Sequence, residues 1–521
     1  MIQLYDTTLR DGSQGEGVSF TVQDKLRVVR RLDDLGIHYI EGGWPGSNPK
    51  DIAFFEAARD LKLRHAKLCA FGSTRHKGVR AAEDSLIVQL AESGAPVVTI
   101  FGKSWLLHVR EVLNATPDEN LEMIADTVGF LKSRGLEVVY DGEHFFDGFK
   151  DDAAYALATL RAARDAGADI LVPCDTNGGT MPWEIAQITR QVKEHLPGII
   201  GIHTHNDCEL GVANTIAGVQ AGATHVQGTI NGFGERTGNA NLCSVIPILK
   251  LKMGLDCISD HQLRLLSEVS AFVDEMANMP PDEHRPFIGR SAFAHKAGTH
   301  ADAVRKNPRT CEHIDPVLVG NERRVLVSEL SGGSTIVWKA EERGVNLEKR
   351  SPETRRIVEK IAKLEAEGYV YEGAEASFDL LVKKETGQYQ KLFELIGFRV
   401  IVEKRGHDKE PITEATLKVR VADEERLTVA EGDGPVHALD GALRKALLHF
   451  YPQLNDVRLT DFKVRVVDAA EGTAAKVRVL VEGADSHGSW STIGVSTNVI
   501  EASWQALADS VEYALLKSPP G

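Results

Sequence analysis

A repeating pattern of hydrophobic and polar positions runs through about the first 250 residues of the chain. Each repeat is a polar–apolar helical segment, a glycine and a short apolar run, as in LDDLG-IHYIE, LAESG-APVVTIF and LKSRG-LEVVYD. A glycine after a helical segment favours the left-handed conformation that ends many helices. A continuous apolar run is typical of a strand buried on both faces. The pattern therefore predicts helices alternating with parallel strands.

Eight such strands are predicted, at 2–6, 38–42, 67–71, 97–101, 137–142, 169–174, 199–204 and 225–230. Thr21 and Asp24 form a capping-box pattern that predicts the start of the first helix. Eight βα units in about 250 residues match the size of a (β/α)8 TIM barrel. A doubly wound open sheet is the alternative, and it is less favoured because no glycine-rich phosphate loop follows the first strand.

The pattern changes after about residue 255. Residues 258–375 are mixed, mostly helical and rich in charge, and we interpret them as linking subdomains. Residues 376–521 alternate with a period of two in SFDLLV, FRVIVEK, ATLKVRVAD, DFKVRVVD, AKVRVLVEG and STIGVS, with helical segments near 435–450 and 498–517. The sequence thus predicts a barrel over 1–257, a linking region over 258–375 and an α+β domain over 376–521 with a half-solvated antiparallel sheet.

Composition and charge exclude several classes of protein. The chain is 42% hydrophobic and 26% charged, as in ordinary globular proteins. A net charge of −15 argues against a general binder of nucleic acid or anionic membranes. The six cysteines form no CxxC pair, which argues against a disulfide framework or a zinc ribbon. With no apolar run of about 18 residues and no signal-like start, we expect a cytoplasmic protein.

Candidate chemistry lies where the predicted strands end, as in other TIM barrels. His203 and His205 are two residues apart on strand 7, so both side chains project to one side. With a carboxylate such as Asp11 and an amide oxygen such as Asn239, they would form a mixed N/O shell suited to Mn²⁺, Zn²⁺, Co²⁺ or Mg²⁺. The alternative is one core histidine and one facing solvent. The polar residues at the other strand ends favour the metal site.

Four further residues have both a functional and a structural interpretation. Arg10 follows strand 1 and would stabilise an oxyanion, or it forms a structural ion pair with Asp11. Glu143 ends strand 5 among aromatic residues, where apolar surroundings raise a carboxyl pKa and favour a general base; an ordinary hydrogen-bond acceptor is the alternative. His295 and His300, outside the barrel, are either a second acid/base pair or exposed polar residues.

The segments LYDTTLRDGSQ, GIHTHNDCELGVAN, GTINGFGERTGNANL and SAFAHKAGTH resemble the signatures of the 2-isopropylmalate synthase, homocitrate synthase and citramalate synthase family. The resemblance spans nearly the whole chain. Within the family, EGGWPGSNPKD, FGSTRHKG and VTIFGKSW are most similar to the (R)-citramalate synthase branch. The resemblance implies a metal-dependent barrel, linking subdomains, a C-terminal allosteric and dimerisation domain, and a homodimer or higher homo-oligomer.

The resemblance also implies roles for individual residues. The metal ligands would be Asp11, His203, His205 and Asn239. Arg10 matches the arginine beside the substrate keto oxygen, and Glu143 matches the base that enolises acetyl-CoA. Thr176 matches a hydroxyl that contacts the keto-acid carboxylate, and His300 a histidine of the later steps. One departure is Cys311, which stands where this branch is expected to carry tyrosine, so a tyrosine role is in doubt here.

The implied reaction condenses acetyl-CoA with pyruvate and water to give (R)-citramalate and CoA, with a divalent metal and with isoleucine as the expected effector. Pyruvate needs only a small pocket, and aromatic residues near the strand ends could fill the space that a larger acceptor would need. These residues are Trp44, Phe101, Trp105 and Tyr140; the alternative is that their rings belong to the core. Three other functions remain open: a 2-isopropylmalate synthase that uses 2-oxoisovalerate, a C–C lyase and a non-catalytic amino-acid sensor. The long C-terminal domain argues against the lyase, and the intact polar residues argue against the sensor.

Overall fold

The computed structural model describes residues 1–296, 298–327, 333–342, 347–348, 351–404, 406–407, 410–467, 472 and 474–517. The chain divides into two compact units. The first consists of Met1–Phe293 with Ile314–Arg323, and the second of Ala294–His313 with Arg324–Gly521.

The first unit is a closed barrel of eight parallel strands, arranged around the barrel in the order in which they occur along the chain. The strands are β1 (Gln3–Asp6), β2 (Tyr39–Gly43), β3 (Lys67–Ser73), β4 (Val97–Lys103), β5 (Glu137–Glu143), β6 (Ile170–Asp175), β7 (Ile199–Thr204) and β8 (His225–Gly228). The barrel closes where β1 pairs with β8, with Tyr5 opposite Gln227. The predicted (β/α)8 barrel is confirmed, and each predicted strand overlaps an observed one.

The helices of this unit are α1 (Val22–Leu35), α2 (Pro49–Ala58), α3 (Ser85–Glu92), α4 (Leu106–Glu111), α5 (Pro117–Ser133), α6 (Phe145–Asp151), α7 (Ala153–Asp165), α8 (Pro182–His195), α9 (Gly211–Gln220), α10 (Leu242–Pro247), α11 (Asp260–Leu263) and α12 (Leu266–Met276). The predicted capping box starts α1: the Thr21 hydroxyl accepts from the Asp24 N–H, and the Asp24 carboxylate accepts from the Thr21 N–H. Gly36, with φ 89°, ends the helix in the left-handed conformation.

A polar layer inside the barrel supports the carboxyl ends of the strands. Tyr5, Glu41, Thr99, Asp141 and Gln227 are all buried there. Barrel interiors are mostly filled by branched apolar side chains. A buried polar layer is stable only if its groups are hydrogen-bonded to one another, and this layer connects the core to the residues at the strand ends.

The second unit contains β9 (Ala294–His295), α13 (Gly298–Lys306), β10 (Arg324–Val325), α14 (Gly333–Glu342), α15 (Pro352–Ala366), α16 (Glu375–Glu385), β11 (Glu394–Glu403), β12 (Ile412–Val421), β13 (Glu424–Gly432), α17 (Pro435–Leu447), β14 (Arg458–Val466), β15 (Val477–Asp485), β16 (Gly488–Ser496) and α18 (Val499–Lys517). Strands β11–β13 and β14–β16 form two antiparallel sheets, each followed by a helix. The predicted α+β C-terminal domain, with a mostly helical region before it, is therefore confirmed. Within the described residues, no helix is both long and apolar enough to cross a membrane.

One predicted strand of this unit is wrong. The segment SFDLLV lies in helix α16, where Phe378, Leu381 and Val382 pack into one apolar cluster. Their spacing of three and four residues places them on one helical face, and this spacing outweighs the apparent alternation. The sequence does not predict strand β13, because its residues EERLTVAEG are mostly polar. In the structure its apolar residues Leu427 and Val429 are exposed.

Candidate active site

A cavity of about 210 Å³ opens at the carboxyl ends of the barrel strands. It is lined by Arg10, Asp11, Gln14, Trp44, Phe71, Phe101, Asp141, Glu143, Cys174, Thr176, His203, His205 and Glu235. The structure thus brings six residues singled out from the sequence for metal binding, catalysis or substrate binding to one cavity.

Asp11, His203 and His205 form the only group of three or more metal-ligating side chains found among the described residues, and all three are buried. The Nε2 atoms of the two histidines are 3.2 Å apart. Asp11 Oδ2 lies 3.5 Å from Nε2 of His203 and 4.0 Å from Nε2 of His205. Two ligands of one ion, each about 2.1 Å from it, are separated by at most about 4.2 Å, so this donor set fits a single divalent metal.

Asn239 lies beside these three side chains, and a backbone bridge pairs it with His205. Its Nδ2 donates to Asp11 Oδ2 at 2.9 Å, whereas its buried Oδ1 has no hydrogen-bond partner. The two ends of an amide side chain are distinguished only by their hydrogen-bond network. Exchange of the two ends would direct the unpaired oxygen toward the donor set, which suits a fourth ligand.

The electrostatics of the site favour the ligand forms of these groups. Burial alone would raise the pKa of Asp11, but the charge of Arg10 and the neighbouring imidazoles lower it to about 2. Burial, together with the charge of His203, lowers the pKa of His205 to about 3, and burial also lowers the pKa of His203. At neutral pH the site therefore presents a carboxylate and two neutral imidazoles, the forms that bind a metal.

Arg10 is held at the cavity wall by more than the ion pair with Asp11. Its Nε donates to Glu41 Oε1 at 2.5 Å, and its guanidinium lies 3.6 Å from the centre of the Phe71 ring. Glu41 is fully buried and also accepts from the Tyr5 hydroxyl and from Thr7 Oγ1. The guanidinium is thus held by Asp11, by Glu41 of β2 and by Phe71 of β3.

Glu143 has a different environment from the apolar one expected. It ends β5 and forms an ion pair with Lys103, which occupies the facing position on β4. The pairing arises because the register of the two strands places these residues side by side. Thr176, after β6, accepts a hydrogen bond from the His144 N–H at 2.8 Å, which leaves its own O–H to donate.

Three aromatic rings form one wall of the cavity. Trp44 packs edge-on against Phe71 and Phe101, and the latter two rings are stacked 5.5 Å apart. The prediction for Trp44 and Phe101 as cavity residues is confirmed. Tyr140 instead belongs to the buried core, and Trp105 stacks on a neighbouring histidine and donates to an exposed aspartate; neither lines the cavity.

The remaining predicted residues belong to the second unit. His300 is exposed on α13. The Nε2 of His295 lies 3.1 Å from Oε1 of Glu312, a buried carboxylate. Cys311 is exposed just after a 3₁₀ turn over Pro308–Thr310.

Four residues that contact the predicted site were not assigned roles from the sequence: Glu41, Lys103, Asp141 and Gln227. Each is a polar residue within or at the end of an otherwise apolar barrel strand. That position is the signal that identifies them. Their partners come from other strands, which the sequence does not identify.

Comparison with known proteins is consistent with this architecture. The HMGL-like family model matches residues 1–273, the homocitrate synthase post-HMGL domain-like model matches residues 287–368, and the LeuA allosteric (dimerisation) domain model matches residues 372–515. The (R)-citramalate synthase of Geobacter sulfurreducens is 55% identical, with 99% of this chain and 98% of that protein covered. That of Aquifex aeolicus is 53% identical, with the same coverage of 99% and 98%. A probable 2-isopropylmalate synthase of Archaeoglobus fulgidus is 29% identical over 99% of this chain and 97% of its own. The chain therefore belongs to the (R)-citramalate synthase branch of the 2-isopropylmalate synthase and homocitrate synthase family.

Proposed function

We propose that this protein condenses acetyl-CoA with pyruvate and water to give (R)-citramalate and CoA, the first step of a pyruvate route to isoleucine. The observation that carries the proposal is the cavity itself. It joins a buried Asp–His–His donor set, a fixed guanidinium and a carboxylate within one space of about 210 Å³. The identities of 55% and 53% to (R)-citramalate synthases favour this reaction over that of a 2-isopropylmalate synthase.

Asp11, His203, His205 and Asn239 would hold the divalent metal, which is Mn²⁺, Zn²⁺, Co²⁺ or Mg²⁺. When bound, such an ion supplies Lewis-acid polarisation of the keto group and a template for the 2-oxo acid. Thr176 would donate its O–H to the pyruvate carboxylate. These contacts orient the acceptor toward the rest of the cavity.

Glu143 would take a proton from the methyl group of acetyl-CoA, which is a weak acid and requires a close, oriented base. The methyl carbon would then form a C–C bond with the keto carbon as the C=O π bond breaks, and the keto oxygen would become an alcohol by taking up one proton, which balances the proton that Glu143 removed. Arg10 would stabilise the negative charge that develops on that oxygen, because its guanidinium is already fixed by Glu41 and Phe71. Water then cleaves the thioester to a carboxylate and the CoA thiol, with His300 proposed to assist this later step.

The aromatic wall supports a small acceptor. Trp44, Phe71 and Phe101 line the cavity and pack against one another, where they would limit the space for a branched acceptor. Discrimination by a hydrophobic pocket is worth only about 1–3 kcal/mol per methylene. We therefore expect pyruvate to be preferred, 2-oxobutanoate to be used modestly and 2-oxoisovalerate to be used poorly.

We propose four further features of the whole protein. The barrel over 1–257 is catalytic, 258–375 links it, and 376–521 is the regulatory and dimerisation domain. The protein forms a homodimer or higher homo-oligomer, with isoleucine as the effector of the C-terminal domain. It works in the cytoplasm, where pyruvate and acetyl-CoA are available.

The test is CoA release in a thiol-trapping assay with acetyl-CoA, Mn²⁺ and one of pyruvate, 2-oxobutanoate, 2-oxoisovalerate, 2-oxoglutarate or no acceptor. We expect release to depend on pyruvate, and to be lost on metal stripping and in Glu143→Gln. Glu137→Gln is the matched control, because Glu137 begins the same strand that Glu143 ends. A preference for 2-oxoisovalerate would indicate a 2-isopropylmalate synthase, and silence with every acceptor would refute the proposal.

A further inference from the structure

Gln227 is a buried amide for which the proposed mechanism has no role. It lies on β8 and is only 1% exposed. Burying an amide costs free energy unless its polar ends are hydrogen-bonded. Both ends of this one are satisfied by residues of the cavity: Oε1 lies 2.9 Å from Nδ1 of His203, and Nε2 donates to Oδ1 of Asp141 at 3.0 Å.

The direction of this chain of hydrogen bonds follows from the orientation of the Gln227 amide. Its Nε2 donates to Oδ1 of Asp141, which places its Oε1 against Nδ1 of His203. The Oε1 end can only accept, so Nδ1 of His203 must carry a hydrogen. A neutral imidazole carries one N–H, so Nε2 of His203 is left with its lone pair.

That lone pair points at the centre of the donor set. Nε2 of His203 lies 3.2 Å from Nε2 of His205 and 3.5 Å from Oδ2 of Asp11. With the hydrogen on Nε2 instead, the ring would present an N–H to the site and offer no ligand atom there. The second hydrogen bond of a ligating histidine commonly fixes the ring and its tautomer in this way.

We propose that Gln227 is a positioning residue for the metal site, which relays the orientation of Asp141 to His203 and keeps Nε2 of His203 available as a ligand. The inference rests on the metal site of the proposed function. It adds a residue from strand β8 to a site whose histidines come from β7 and its following loop.

The first test is metal affinity of the full-length, metal-stripped protein, measured for Mn²⁺ and Co²⁺ by calorimetry and by the visible absorption of Co²⁺. Gln227→Met keeps the length of the side chain and removes both hydrogen bonds, and we expect it to weaken binding by about 10–100-fold. Gln3→Met is the matched control, because Gln3 is an amide on the neighbouring strand β1 that contacts His225 and not the donor set. Wild-type affinity in Gln227→Met would overturn the inference.

A second measurement uses only the wild-type protein, so it does not depend on whether a variant folds. A neutron structure of the metal-free wild-type protein shows which ring nitrogen carries deuterium and how the Gln227 amide is oriented. We expect deuterium on Nδ1 of His203, and the deuterated amide nitrogen facing Asp141. Deuterium on Nε2 would overturn the inference. Failure of this inference can be distinguished from failure of the proposed function. If the protein binds metal through this relay but condenses no acceptor, only the proposed function is refuted.

Discussion

Glu41 is expected to control catalysis through Arg10, without a role in binding substrate. It is fully buried and accepts from three donors: the Tyr5 hydroxyl, Thr7 Oγ1 at 2.9 Å and Arg10 Nε at 2.5 Å. Glu41→Gln preserves the shape of the side chain but replaces one accepting oxygen with an NH₂ group. At least one donor would then face another donor, and Arg10 would retain only Asp11, at 3.5 Å, as an ionic partner.

The size of the expected stability loss follows from the burial of the Arg10–Glu41 ion pair. The Arg10 side chain is 14% exposed and that of Glu41 is not exposed. Breaking a buried ion pair by removing one partner lowers the free energy of unfolding by about 3–5 kcal/mol. The charge of Arg10 would also move toward Asp11 and away from the keto oxygen. Loss of one preorganised oxyanion donor typically lowers kcat by about 10²–10³-fold, which is the expected effect on pyruvate turnover.

The assay pairs urea unfolding with CoA release from acetyl-CoA and pyruvate. Glu137→Gln is a matched control, because Glu137 also accepts from a tyrosine hydroxyl, at 2.7 Å, and pairs with Lys67, but begins β5 at the opposite end of the barrel. We expect near-wild-type turnover in the control. If Glu41→Gln folds and turns over pyruvate as fast as Glu137→Gln does, Glu41 does not orient Arg10 for catalysis.

Three further predictions concern stability and specificity. Burial raises the pKa of Asp6 to about 7, so the protonated carboxyl stabilises the fold at low pH, and this stabilisation is lost as pH rises from about 4, the unfolded pKa, through 7. Wild type should therefore lose stability between pH 5 and pH 8 relative to Asp6→Asn, as measured by urea unfolding at each pH. A difference between the two proteins that does not change with pH would contradict this prediction. Lys25 is buried and pairs with Asp51 at 2.6 Å, so Lys25→Met should lower the free energy of unfolding by about 3–5 kcal/mol; a loss under about 1 kcal/mol would show that the barrel accommodates the uncompensated carboxylate. Phe101→Ala removes part of the aromatic wall, so the ratio of kcat/KM for 2-oxoisovalerate over pyruvate should rise by at least about 10-fold; an unchanged ratio would mean that another residue limits acceptor size.

The barrel and several of its site residues were predictable from the sequence because their signals are local. A strand buried on both faces reads as a continuous apolar run, and a glycine follows many of the helices, so the eight βα units appear in order. His203 and His205 share a face because alternate residues on a strand do so whatever the rest of the fold is. The capping box at Thr21 is likewise confined to four residues.

The tertiary structure decided what depends on contacts between distant segments. Lys103 meets Glu143 because the register of β4 and β5 places them side by side, and Gln227 joins Asp141 to His203 because the closed barrel brings β5, β7 and β8 around one interior. The segment SFDLLV forms a helix because the helical spacing of Phe378, Leu381 and Val382, which pack into one apolar cluster, outweighs an apparent alternation. Strand register, closure and burial are properties of the packed chain, so residue types and spacings alone identify which side chains are polar and near a strand end, but not which of them hold one another in place.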